Sequence, residues 1–146
     1  DGLIEADELE TLFVFTMVRN PWDRMVNYYH WLRVQSFDHP SVGLAKALEF
    51  DAFLAEPAIA QSFKSAPAAS YVTDAAGMTR ANLYIRLEHL AQDIAPLEAH
   101  LGFALDIPHV NRSTRGADYR EAYSSEGIAR VQEICAADIA QFSYRF

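Results

Sequence analysis

Arg19 is the residue whose type and position point most directly to chemistry. It ends the run Leu12-Phe-Val-Phe-Thr-Met-Val18 and is followed at once by Asn20-Pro21-Trp22-Asp23-Arg24. A guanidinium is a permanent cation whose fork of N–H groups matches carboxylate or phosphate through two parallel hydrogen bonds. The apolar, partly β-branched and aromatic run before it predicts a strand buried in a parallel sheet. Asn20 suits the N-cap of a following helix, and Pro21 suits its first position, where a missing N–H costs nothing. Ligands of open α/β sheets bind beyond the carboxyl ends of the strands, and a helix N-terminus there favours anions. The chemistry expected at Arg19 is anion binding. Its rival is structural: an arginine paired with Asp23 or with the sheet edge.

Other chemistry-bearing residues are less sharply placed. Arg19, Arg24 and Arg33 fall in one segment, and Arg112, Arg115 and Arg120 in another. Converging, they would form a local anion site; apart, they are ion-pair partners for the chain's 20 carboxylates. His30 lies three turns into the helix after Arg19, where packing or solvent exposure is the expected role. His89 follows Glu88 at a strand–helix junction, and Glu88 is expected to cap or brace its helix. His39, His100 and His109 fall in loops or late in a helix. These spacings match no metal-ligand set. Cys135, the single cysteine, lies on an apolar helix face and reads as core. No residue is assigned a catalytic role.

The elements that must hold these residues follow from periodicity. Residues 21–35 read as a helix with Met25, Tyr28 or Tyr29, and Leu32 on one face. Residues 36–43 read as a loop, and 44–55 as a helix ending before Pro57. A short helix is expected near 59–63, and 65–79 is a connection without period. Leu83 to Leu87 is the second strand. The helix after it runs to about Leu101, with Pro96 as a kink or break and Gly102 as its C′ residue. Residues 103–123 are irregular. Ser124 or Ser125 caps a last helix whose stripe is Ile128, Val131, Cys135, Ile139 and Phe142.

Composition bounds the class. A chain of 146 residues with 51% hydrophobic content and a mean hydropathy of −0.07 is one domain's worth of globular protein. A net charge of −8 argues against a general nucleic-acid or anionic-membrane surface. Five of the first ten residues are acidic, which predicts a mobile leader over 1–10. No apolar stretch reaches transmembrane length, and no secretory pattern is present. One cysteine forbids an internal disulfide and suits a reducing, cytoplasmic setting.

The string Phe15-Thr-Met-Val18-Arg19-Asn20-Pro21-Trp-Asp23-Arg24-Met-Val26-Asn27-Tyr28-Tyr29 resembles the segment of sulfotransferases that holds the 3′-phosphate of 3′-phosphoadenosine 5′-phosphosulfate (PAPS). Two further segments are similar to that family in the same order. Asn82-Leu-Tyr-Ile-Arg86-Leu-Glu88-His-Leu90-Ala-Gln-Asp93 looks like its later strand and helix. Asp138-Ile-Ala-Gln-Phe142-Ser-Tyr144-Arg-Phe146 looks like its closing helix. The loop Val110-Asn-Arg112-Ser113-Thr-Arg115-Gly116 sits where polysaccharide-modifying relatives place a basic, hydroxyl-rich loop against the nucleotide.

The resemblance implies that Arg19 clamps the 3′-phosphate and that Ser113 and Arg115 also contact the nucleotide. Where the family has a phosphate-binding serine this chain has Asn27, whose amide can also donate to phosphate. It further implies an α/β fold of the P-loop-kinase-like kind, a three-layer parallel sheet flanked by helices. Here that fold is expected to be incomplete and helix-rich, one domain over 1–146 truncated at its N-terminus, because no phosphate-loop string occurs. The implied function is transfer of a sulfuryl group from PAPS to a hydroxyl acceptor, a carbohydrate, without metal. The alternative is a non-catalytic relative that binds nucleotide or a partner protein.

Overall fold

The apolar run before Arg19 becomes a strand only in its second half, β1 (Phe15–Val18). A helix, α1 (Pro21–Arg33), starts two residues after Arg19. Three short helices come next: α2 (Pro40–Ala47), α3 (Phe50–Ala55) and α4 (Pro57–Lys64). A 3-10 turn at Ala68–Val72 leads to β2 (Leu83–Arg86). Then come α5 (Leu90–Asp93), α6 (Ala95–Leu101), α7 (Ser125–Ile134) and α8 (Ala136–Phe142). This computed structural model describes residues 8–107 and 118–146. Its described residues are helix-rich α/β, with β1 and β2 paired in parallel from Phe15↔Leu83 to Val18↔Arg86. Of the expected acidic leader, Glu8–Glu10 form a 3-10 turn, and the rest lies outside the described residues.

The chain divides into two compact units, residues 1–18 with 68–108 and residues 19–67 with 109–146. In the first, Ile85 is buried against Ile94 and Leu97, with Phe13, Leu83 and Leu105 around them. Asn82 ties the strand starts together: its backbone N–H donates to the Val14 carbonyl, and its side-chain oxygen accepts from the Val14 N–H, both at 2.7 Å. At the far end of β2 the backbone N–H, Nε and Nη2 of Arg86 all donate to the Asp93 carboxylate, at 3.0, 2.7 and 2.9 Å. The fully buried strand expected from the apolar run is not what forms. Phe15 and Met17 stay 43% and 46% exposed. Among the described residues β1 has a strand partner on one edge only, which leaves its outer part uncovered.

The second unit has its core between α1, α3, α4 and α7, where Met25, Phe53, Leu54 and Val131 are fully buried. Polar groups of the aromatic residues beside this core are hydrogen-bonded. Trp22 Nε1 donates to the Ile128 carbonyl at 3.1 Å, and Tyr123 Oη donates to the Trp22 carbonyl at 2.8 Å. Phe146 packs edge-on against Trp22 and Tyr123. Asn20, buried, is the N-cap expected from the sequence. Its Oδ1 accepts from the Trp22 N–H at 3.1 Å while its Nδ2 donates to the Arg145 carbonyl at 2.9 Å.

Three expected helices are divided in the structure. The helix expected over 44–55 begins at Pro40, whose ring suits the first helical position, and the His39 ring caps it by accepting from the Ser41 N–H. It stops where Leu48 turns extended, and α3 starts anew. Pro96, near the start of α6, marks the break between α5 and α6. Gly102 closes α6 in the left-handed region, as expected. Ser124 caps α7 through the Gly127 N–H, but the last helix breaks at Cys135, which leaves helical geometry.

Two predictions follow from these contacts. Asn20→Ala should cost about 1–3 kcal/mol, because it removes a cap and strands a carbonyl. Asn20→Ser keeps the cap without setting a buried carboxylate against the Arg145 carbonyl and should cost less; urea midpoints of both variants check the order. Separately, the Arg86 guanidinium hydrogen-bonded to Asp93 holds its carboxyl down from 3.8 to about 2. A depressed carboxylate stabilises the fold above its unfolded value and stops doing so as pH falls through its folded value. Stability should therefore drop between pH 3.8 and about 2, and Asp93→Asn should flatten that slope in acid titrations followed by circular dichroism. With Arg86 35% exposed, the contribution is about 1 kcal/mol.

Candidate functional site

Arg19 stands directly after β1 and one residue before the cap of α1. Its Nε donates to Asp23 Oδ2 at 2.5 Å, with the two side chains 27% and 15% exposed. The pairing that the sequence offered as a structural rival is thus formed. Its origin is local: Asp23 occupies the first turn of α1, where the helix dipole favours a carboxylate, and four residues bring it back onto Arg19. The ion pair occupies only one edge of the guanidinium. Among the described residues no partner engages the Nη groups of Arg19, so Asp23 fixes the plane of the fork and leaves its outer donors open.

Asn27 lies one turn beyond Asp23 on the same face of α1, half-buried, and among the described residues no hydrogen bond engages its amide. Arg19 and Asn27 therefore flank Asp23 along one row. An anion on the Nη donors of Arg19 would meet the like charge of the Asp23 carboxylate beside it. Pro21 lacks an N–H and the Trp22 N–H is held by Asn20, so the helix end itself adds little. Ser113 and Arg115 lie outside the described residues, as does the basic loop around them.

The other arginines are not gathered here. Arg24 sits over the Phe63 ring, 5.0 Å from its centroid, with Nη1 3.8 Å from buried Asp138. Arg33 lies over Tyr29 and donates to its hydroxyl. Arg120 pairs with Asp118 and covers Tyr119 and Phe146. Each holds packing together.

The histidines follow the same pattern. His30 is exposed beside Tyr29, His39 caps α2, and His100 stacks on Phe13 at 4.4 Å. Glu88 and His89 stand exposed in the 3-10 turn Leu87–His89, and no side chain caps that turn. Among the described residues no group of three His, Cys, Asp or Glu side chains is placed to hold a metal. A shallow depression of about 530 Å³ on α7 and α8, lined by Ala129, Gln132, Ile139 and Ala140, gathers no convergent donors.

Sequence reasoning missed two features that have a local signal. Asp93 lies seven residues past Arg86, close enough to close on the end of its strand. Trp31, Val34 and Phe37 recur at three-residue steps and are all exposed, beside half-buried Tyr28. No family model matches this chain, and comparison with curated proteins and with solved structures finds none similar to it. Among the described residues no helix is long and apolar enough to cross a membrane.

Cys135 is buried as expected. Burial pushes its thiol up to about 11, with Asp138 adding to the shift and Arg24 opposing it. The thiolate is the reactive form, so the native protein at pH 8 should resist a disulfide reagent such as DTNB. Unfolding in urea should release one reactive thiol per chain; rapid native labelling would contradict this burial.

Proposed function

We propose that the chain is a sulfotransferase-type α/β domain of the P-loop-kinase-like kind. Arg19 and Asn27 bind the 3′-phosphate of PAPS, and the reaction passes a sulfuryl group to a hydroxyl acceptor, a carbohydrate. The observation that carries this reading is the state of Arg19. It directly follows a parallel strand, is oriented by Asp23 through Nε, and keeps its Nη donors without a partner among the described residues. A 3′-phosphate dianion meeting those donors gains a two-pronged charge-assisted contact, and the Asn27 amide adds one neutral hydrogen bond. Sulfuryl transfer itself needs the donor held in line with the acceptor oxygen. Arg19 contributes by anchoring the nucleotide at the end remote from the reacting sulfur. Ser113 and Arg115 complete the nucleotide contacts in this reading, and no residue is assigned as the base. The single buried Cys135 suits a cytoplasmic setting.

A second reading, a non-catalytic relative that engages a partner protein, draws on a different observation. Phe15 and Met17 leave apolar side chains exposed on one face of β1, with Leu12 exposed before it, the kind of surface that marks interaction sites.

Calorimetry with adenosine 3′,5′-bisphosphate separates the two. Arg19→Ala should lose about 2–5 kcal/mol of binding, the scale for breaking a desolvated charge contact. Asn27→Ser should keep or improve affinity. Unchanged affinity in Arg19→Ala would remove this site.

A further inference from the structure

After α8 the chain turns back onto the start of α1. Ser143 makes the turn in the left-handed region, at φ 55°, the only residue other than glycine to do so among the described residues. A side chain is strained there, so contacts elsewhere must hold the turn. The Tyr144 N–H donates to the Ile139 carbonyl at 3.1 Å, and the Arg145 carbonyl accepts from Asn20 Nδ2 at 2.9 Å. Phe146 meets three rings edge-on, Trp22, Tyr123 and Tyr119, with centroids 5.8, 5.4 and 5.9 Å away. The Arg120 guanidinium lies 5.9 Å from the centre of the Phe146 ring. All of these residues belong to the second unit.

The contacts fall on the residues that hold the candidate anion site. Asn20 directly follows Arg19, and Trp22 directly precedes Asp23. Asn20 caps α1 through the Trp22 N–H with its oxygen and holds the returning segment with its nitrogen. Release of that segment leaves Asn20 Nδ2 without its carbonyl and uncovers Trp22 on the side that Phe146 covers. The first turn of a helix depends on its cap. Asp23 stands in that turn and fixes Arg19 through Nε.

Opposing effects of similar size decide whether the segment docks. Ring packing and one hydrogen bond favour it. The strained turn at Ser143 and the ordering of three residues oppose it. A ligand that prefers one state can therefore shift the balance.

We propose that Tyr144–Phe146 is a latch that controls anion binding at Arg19. Docked, it holds Asn20 and Trp22, and with them the geometry of Arg19 and Asp23. Released, it loosens the first turn of α1 and weakens the site. Arg145 and Phe146 are positioning residues here and touch no ligand. The latch rests on the reading of Arg19 as a phosphate site. Coupling is reciprocal, so phosphate bound at Arg19 must in turn hold the latch closed.

Two variants release the latch by different routes. Phe146→Ala removes the ring. Ser143→Val keeps every ring in place but resists the left-handed turn, as β-branched residues do. By calorimetry each should bind adenosine 3′,5′-bisphosphate about tenfold more weakly than the parent, and Phe146→Tyr should bind like the parent. Without ligand, the Arg19 Nε signal of both weakened variants should leave its parent position, with circular dichroism confirming the fold. In the parent, the bisphosphate should slow hydrogen exchange of the Tyr144 N–H, and adenosine 5′-monophosphate should not. A parent that binds, with variants that bind equally well, overturns the latch and leaves the phosphate site standing. Weaker binding with an unmoved Arg19 signal also overturns it, because the effect then bypasses Arg19. A parent that does not bind the bisphosphate removes the phosphate site and the latch together. If neither variant folds, the parent decides: Tyr144 exchange unchanged by bound bisphosphate overturns the latch.

Discussion

Both ends of the Asn20 amide are engaged, and the geometry of the second unit depends on it. The oxygen caps α1 through the Trp22 N–H, and the nitrogen reaches the Arg145 carbonyl, 125 positions along the chain. Trp22 extends the same junction, donating to Ile128 and accepting from Tyr123. Each neutral buried hydrogen bond contributes about 1 kcal/mol net, and a domain's whole stability is about 5–15 kcal/mol. Four such bonds at one helix start are a large share of that total. They set where α1 begins, and hence where Asp23 and Asn27 stand relative to Arg19.

The Arg19–Asp23 pair looks at first like a finished structural contact. Magnitudes favour another role. A solvent-accessible pair four residues apart contributes about 0.3–0.5 kcal/mol to stability, too little to justify its placement by stability alone. Its larger effect is to fix the rotation of the guanidinium, so that a ligand ordering the fork loses less side-chain entropy. A hydrogen bond to a charged group contributes about 1.5–3 kcal/mol, more than the ion pair itself. In the proposed reading a dianion would bond the Nη donors while Asp23 keeps Nε, against the repulsion of the Asp23 carboxylate.

Features determined by adjacent residues were legible in the sequence. The Asn20–Pro21 start, the turn at Gly102, the Ser124 cap, the second strand and the burial of Cys135 all follow from local chemistry or simple periodicity. Features set by distant parts of the chain were not. The breaks at Leu48 and Cys135 carry no glycine or proline to announce them. The exposure of Phe15 and Met17 depends on how many strands pair with β1, which the run itself does not encode. At the site, Arg19 and its Asp23 partner were legible because four residues separate them. Arg24 and Arg33 stand apart from Arg19 because a helix sends neighbours to different faces, and the meeting of their segment with Arg112 and Arg115 lies outside the described residues. Ser113 and Arg115 lie outside the described residues.

The account turns on whether Arg19 meets a 3′-phosphate, and nuclear magnetic resonance reads that contact at the side chain itself. Side-chain nitrogen–proton correlations of Arg19 would be followed during titration with adenosine 3′,5′-bisphosphate and, separately, with adenosine 5′-monophosphate. The account predicts that the first nucleotide shifts and sharpens the Arg19 Nη signals while the Nε signal stays near its free position, held by Asp23. The second, lacking the 3′-phosphate, should leave all of them in place. Arg19 signals unmoved by saturating adenosine 3′,5′-bisphosphate, or moved equally by both nucleotides, would contradict it.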